Sequence, residues 1–151
     1  HSADRRGRSA ALNLVITDTG AAKAISGILP ELKGKLTANA IRVPTPNVSL
    51  AILHLNVKKG VSVEDLNQCF RNAAFHSGLR TTIDYSNSLD AVSSDFYSNE
   101  FACVFDSQAT ISNFNNITIY CWYDNEYGYS RQVVRLLNKA LGINLVRYPK
   151  Q

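Results

Sequence analysis

Apolar positions along this chain recur with two periods. Ala21, Ala24, Ile25, Ile28 and Leu29 follow the three-and-four spacing of one helix face. Pro30 and Gly34 limit that helix. A second helix is predicted after Ser62-Val63-Glu64-Asp65, which resembles a capping box, with Leu66, Cys69, Phe70, Ala73 and Ala74 as its buried face. A third runs from Arg131 to Leu141 on Val133, Val134, Leu137 and Leu141, with Gly142 beyond it as a C-cap.

The remaining apolar runs have strand character. Residues 48–57 begin apolar on both faces, which predicts a central strand. A shorter strand around Ala40, Ile41 and Val43 is broken by Pro44 and Pro46, which lack the amide donor. Further strands are predicted at 80–85, 91–92, 101–105 and 117–123. Polar turns such as Ser86-Asn87-Ser88 and Asn113-Phe114-Asn115-Asn116 separate them and favour antiparallel neighbours. The order of elements implies an α+β fold, a mixed and largely antiparallel sheet with helices packed on one face.

Composition narrows the class. The chain has 151 residues, 45 % apolar and 19 % charged, which suits one globular domain with a sizeable core. No apolar run approaches the length of a bilayer span. The first ten residues are polar and basic, unlike a signal peptide. His1 opens the chain and Met is absent, so a fragment or a processed chain is expected. Net charge is +4 and the pI is about 9.1, compatible with anionic partners and equally with plain solubility.

Cys69, Cys103 and Cys121 show no metal-ligand spacing, so no metal is expected and the thiols read as buried and inert. His54, in a strand pattern, and His76, just after a helix, read as structural.

Three stretches carry possible chemistry. The first is Thr17-Asp18-Thr19-Gly20, where Asp18 or Thr19 could cap the first helix. The same helix start, with its free amides, could also receive an anion. The second is Arg42, set between apolar residues, which calls for either a salt bridge or a fork on phosphate or carboxylate. The third is Trp122-Tyr123-Asp124-Asn125-Glu126-Tyr127-Gly128-Tyr129-Ser130, between a strand and a helix. Turn chemistry accounts for Asp124-Asn125 and Gly128 but not for the tyrosines. They either close the core or, with Asn125, face a flat amide-bearing ligand.

Taken together these motifs resemble the catalytic domain of phosphorylating glyceraldehyde-3-phosphate dehydrogenases. Arg5-Arg6-Gly7-Arg8, Thr19-Gly20-Ala21-Ala22-Lys23-Ala24, Arg42-Val43-Pro44-Thr45 and the stretch 122–130 stand in the family's order and spacing. The segments 29–37 and 92–96 are also similar. The resemblance covers nearly the whole chain.

It implies a parent enzyme that oxidises glyceraldehyde 3-phosphate with NAD and inorganic phosphate to 1,3-bisphosphoglycerate. The family works through a cysteine thiolate, a histidine base and hydride transfer to the nicotinamide. By the same resemblance, Thr19 and Gly20 hold the attacking phosphate and Arg42 the substrate phosphate, with Arg6 assisting. Asn125 reads the nicotinamide carboxamide, and Tyr129 packs beside the ring. A homotetrameric, cytoplasmic, glycolytic parent is implied, with no membrane or nucleic-acid partner.

Departures from the family pattern set further expectations. The nucleophile's Ser-Cys-Thr-Thr-Asn segment is absent, and no cysteine here matches it. His1 does not match the family's base, and the dinucleotide-binding domain is missing. Residues 1–151 are therefore expected to be a catalytic-domain fragment, inactive alone, with no catalytic residue and no tight hold on NAD. Asp18 stands where the family commonly has Ser or Thr. Other readings are a parent acting on erythrose 4-phosphate, a structural or assembly domain, and a polyanion-binding module built on Arg5, Arg6 and Arg8.

Overall fold

The computed structural model describes residues 12–143. It divides into two compact units, His1–Pro46 and Asn47–Gln151.

In the first unit, β1 (Val15–Asp18) pairs antiparallel with β2 (Asn39–Arg42), Val15 opposite Arg42 and Asp18 opposite Asn39. Between them lie α1 (Ala21–Ile28) and a 3-10 turn at Pro30–Leu32. The inward residues of β1 are Val15 and Thr17, both buried. The apolar stripe expected on α1 exists in sequence, yet none of its residues is buried among the described ones.

The second unit is built on β7 (Asn116–Tyr123), whose residues alternate as a two-residue period requires. Ile117, Ile119 and Cys121 point into the core, while Thr118, Tyr120 and Trp122 face the other way. On one side β7 pairs along its whole length with β3 (Ser49–Asn56). On the other it pairs with β5 (Cys103–Asp106) and β6 (Ile111–Asn113). β4 (Ile83–Ser86) completes the sheet beside β5. The order is β3-β7-β5-β4, with β6 alongside β7. The fold is α+β with a mostly antiparallel open sheet and three helices.

Several expectations are corrected here. β3 is an edge strand rather than a central one, because only β7 bonds to it. Its apolar residues Leu50, Ile52, Leu53 and Leu55 are exposed. β4 and β5 are parallel, since the chain between them crosses through a 3-10 turn at Ser93–Phe96 instead of a hairpin. Residues 91–92 form no strand. β6, three residues long, was too short and polar to show a period. His76 is the last residue of α2 rather than one beyond it.

α2 (Val63–His76) covers the core face of this sheet. The Ser62 hydroxyl accepts from the Asp65 amide at 3.0 Å and donates to the Asp65 carboxylate, a local version of the expected box. Leu66 packs against Phe105, Ile117, Ile119 and Cys121, and Phe70 stacks on Phe105 with ring centroids 4.0 Å apart. Leu66 and Ala74 are the buried residues of this helix, and Cys69 is exposed, so that thiol is not an inert core group. Cys103 and Cys121, on neighbouring strands, share a thiol–thiol hydrogen bond. That bond and burial push the Cys121 thiol far up, so it stays neutral.

α3 (Tyr127–Ala140) begins four residues earlier than its aliphatic pattern suggests. Gly142 lies at φ +70° just past it. The Ile143 amide bonds back to the Asn138 carbonyl at 2.8 Å, which closes the helix in the left-handed manner expected. Val133, Val134, Leu136, Leu137 and Leu141 are all exposed in this chain. Among the described residues no helix is long and apolar enough to cross a membrane.

Candidate functional site

Within the first unit, Gly20 opens α1. Its carbonyl accepts the first helical bond, from the Ala24 amide at 3.0 Å. The Thr19 hydroxyl accepts from the Ala21 amide at 3.3 Å. That is an exposed, long contact two residues on, and Gly20 stands at the N-cap position with no side-chain cap bond. Asp18 closes β1 opposite Asn39.

Arg42 closes β2, is exposed, and makes no ion pair among the described residues. Its partner in the ribbon is Val15, so its backbone sits about four strand residues, roughly 13 Å, from Thr19. The ribbon thus carries the Arg42 backbone and the helix start at opposite ends. Arg6, with Arg5 and Arg8, lies outside the described residues.

In the second unit the stretch 122–130 folds in a way that separates its residues sharply. Trp122 is half-buried. Its ring stacks on Phe96, centroids 5.3 Å apart, and its indole N–H donates to Asp106 Oδ2 at 2.9 Å. Tyr127 and Tyr129 are exposed, Tyr129 at 71 %, and Asn125 is exposed as well. The tyrosines at 127 and 129 therefore do not close the core.

Asp124 is the buried member, with 3 % of its surface exposed. Oδ1 accepts from the amides of Glu126 at 3.1 Å and Tyr127 at 2.9 Å. Oδ2 accepts from the Ser98 amide at 3.0 Å and from Asn47 Nδ2 at 3.1 Å. Burial pushes its pKa up. The Tyr127, Ser98 and Glu126 amides and the Asn47 side chain together outweigh it and hold the carboxyl below its ordinary value. The group is a fixed anion at neutral pH.

The bond to Tyr127, three residues on, serves the start of α3 as a cap would. Sequence reading placed Asp124 only as a turn residue and missed Asn47 and Ser98. The Asp-x-x-helix spacing was the available signal for Asp124. Nothing local could reveal partners 77 and 26 residues away.

Gly128 explains itself in this setting. A Cβ there would stand 2.7 Å from the Phe101 carbonyl oxygen, so only glycine lets α3 approach this loop. Nearby, Arg131 pairs with Glu100 at 2.6 Å, and Gln132 donates to the Glu100 carbonyl at 2.9 Å. Asn47, Ser98, Asp124, Glu126, Tyr127 and Ser130 line a shallow cavity of about 370 Å³. Among the described residues no group of three or more His, Cys, Asp or Glu side chains could hold a metal ion.

The family model described as "Glyceraldehyde 3-phosphate dehydrogenase, C-terminal domain" matches residues 1–125. A glyceraldehyde-3-phosphate dehydrogenase-like protein of Pseudomonas aeruginosa is 53 % identical over 150 residues, 99 % of this chain and 32 % of that protein. The chloroplastic glyceraldehyde-3-phosphate dehydrogenase B of Pisum sativum is 49 % identical over 87 % of this chain and 29 % of its own length. The glyceraldehyde-3-phosphate dehydrogenase of Priestia megaterium is 46 % identical over 90 % of this chain and 40 % of its own length. The chain thus spans between 29 % and 40 % of the length of these relatives.

Proposed function

Since the chain belongs to the glyceraldehyde 3-phosphate dehydrogenase C-terminal domain family, we propose that it supplies the substrate-side half of a phosphorylating dehydrogenase. The parent oxidises glyceraldehyde 3-phosphate with NAD and inorganic phosphate to 1,3-bisphosphoglycerate in glycolysis. The observation that carries this reading is the fold of the 122–130 turn. It buries Asp124 and leaves the Asn125 amide and the Tyr129 ring, four residues apart in sequence, exposed. An amide both donates and accepts, which suits a carboxamide, and an exposed tyrosine face suits a flat ring.

The two ends of the β1–β2 ribbon suit two phosphates. Thr19 and Gly20 offer a hydroxyl and helix-start amides to the attacking phosphate, while Arg42, exposed and without an ion pair among the described residues, offers a fork to the substrate phosphate. Arg6 is assigned to phosphate by resemblance alone. No cysteine or histidine of this chain occupies a matching catalytic position, so hydride transfer requires groups it does not contain. NAD supplies the hydride acceptor. This chain's part is to orient the nicotinamide through Asn125 and Tyr129 and to hold the phosphates. The parent is proposed to be a cytoplasmic homotetramer.

The test is a chimaera in which this chain replaces the matching segment of the Priestia megaterium enzyme. Reduction of NAD in the presence of glyceraldehyde 3-phosphate and phosphate is expected from the chimaera, and none from the 151-residue chain alone. A chimaera that folds, assembles and turns over erythrose 4-phosphate instead would assign the other aldose phosphate. Turnover by the chain alone would falsify the assignment of the nucleophile elsewhere.

A further inference from the structure

We propose that Asp124 is a positioning residue. Through its single oxygen Oδ2 it holds the left-handed backbone at Val48, and the loop at Ser98, against the turn that presents Asn125 and Tyr129. The proposal rests on the reading that this turn faces the cofactor, and the measurements that test it need no cofactor.

Three non-glycine residues among the described ones have positive φ: Val48 at 70°, Ser98 at 57° and Phe114 at 58°. Phe114 sits in the 113–116 turn between β6 and β7, where tight reversal of the chain calls for such an angle. Ser98 is the third residue of a Phe96–Asn99 turn, with Tyr97 at φ −62° and ψ 136° and the Asn99 amide donating to the Phe96 carbonyl at 3.3 Å, so local turn geometry accounts for its angle; Val48 has no such turn. Val48 is the more telling, because two methyl groups on Cβ make the left-handed region a real outlier for valine. Such a conformation persists only where the surroundings over-determine it.

Both residues are tied to one carboxylate, although they are 50 residues apart in the chain. The Ser98 amide donates directly to Asp124 Oδ2 at 3.0 Å. Val48 is held one step away. Its amide donates to Asn47 Oδ1 at 2.7 Å, and Asn47 Nδ2 donates to the same Asp124 oxygen at 3.1 Å. The second oxygen meanwhile takes the Glu126 and Tyr127 amides. One carboxylate thus ties the entrance of β3, the loop before β5 and the first turn of α3 to one point, and it flanks Asn125 in sequence. An ionised carboxylate accepts on both oxygens and carries no proton to oppose four donors. Reading groups carried on a backbone fixed this way are pre-organised for a ligand.

The isostere Asp124→Asn has one acceptor oxygen and one donor nitrogen, so it can serve only one of the two pairs. Nuclear magnetic resonance of the 151-residue chain reads the outcome through amide–Hα couplings, which report the sign of φ, and through amide exchange. In Asp124→Asn the remaining oxygen stays with the local Glu126 and Tyr127 amides, the new amide nitrogen faces the Asn47 and Ser98 donors, and Val48 is expected to lose positive φ. The Ser98 amide is expected to exchange about tenfold faster or more, while Phe105 and Ala74 in the core stay within about twofold. Asn47→Ala removes one limb only. It is expected to release Val48 and leave Ser98 in place, and it keeps the test available if Asp124→Asn does not fold. Retention of positive φ at Val48 in Asn47→Ala, or equal acceleration at Phe105 and Ser98 in Asp124→Asn, would overturn the proposal. Loss of the nicotinamide reading would leave all of these readouts unchanged.

Discussion

At the scale of single residues, the turn is governed by two that are hidden. Asp124→Ala leaves buried amides without an acceptor, and such orphaned donors cost about 1–3 kcal/mol. Its folded pKa is depressed, so its contribution is complete above the unfolded carboxyl value of about 4 and is lost as pH falls through the lower, folded value. Urea unfolding across that window should show the gap between wild type and Asp124→Ala narrow as pH drops. A gap that widened in acid would contradict the assignment of the charge.

Gly128→Ala makes the second residue-scale test. An added methyl meets the Phe101 carbonyl at 2.7 Å. Overpacking of about 1–3 kcal/mol is set against a gain of at most about 1 kcal/mol in helix propensity. A lower melting temperature is expected. A rise would mean that the Asn99–Phe101 loop yields freely.

The elements differ in how much of their stability is their own. α2 has a side-chain cap, two acidic residues in its first turn and a packed face, so local and tertiary signals agree. Ser62→Ala should cost about 1 kcal/mol in chemical denaturation, with the sheet register unchanged. α3 is the opposite case. Its start depends on Asp124 and Gly128, and its aliphatic residues Leu136, Leu137 and Leu141 are exposed. Helical spacing showed that these residues share a face, but spacing does not say whether this chain provides what covers it. β3 carries the same lesson. Its apolar run reads as a central strand by composition, yet strand order is set by which backbone edges find partners, and β7 supplies only one.

For the molecule as a whole, the phosphate reading makes a prediction that the ribbon geometry shapes. If Thr19 with Gly20 and Arg42 hold two separate anions, Arg42→Ala and Thr19→Val should weaken inorganic phosphate binding independently. Each should remove one of two binding events in calorimetry, and the double variant both. A charged hydrogen bond to phosphate of about 1.5–3 kcal/mol makes the Arg42 loss roughly tenfold or more. Strong coupling between the two variants would place both residues on one anion.

Much of this architecture was legible from spacing alone, because helix faces, caps and strand alternation are local properties. The three helices, the Ser62 cap, the Gly142 stop and β7 all follow from residues within a few positions of one another. The motifs around Thr19, Arg42 and Asn125 were legible for the same reason, as short runs with distinctive chemistry. What tertiary structure alone decided involves residues distant in sequence. The parallel pairing of β4 with β5 depends on the path of the chain between them. The exposure of Cys69 depends on how α2 rolls onto the sheet. The convergence of Asn47, Ser98 and Asp124 on one carboxylate joins segments that no window spans. The sequence supplied the groups that could read a cofactor. A buried charge satisfied from three directions decides where they stand, and that satisfaction is a property of the folded chain.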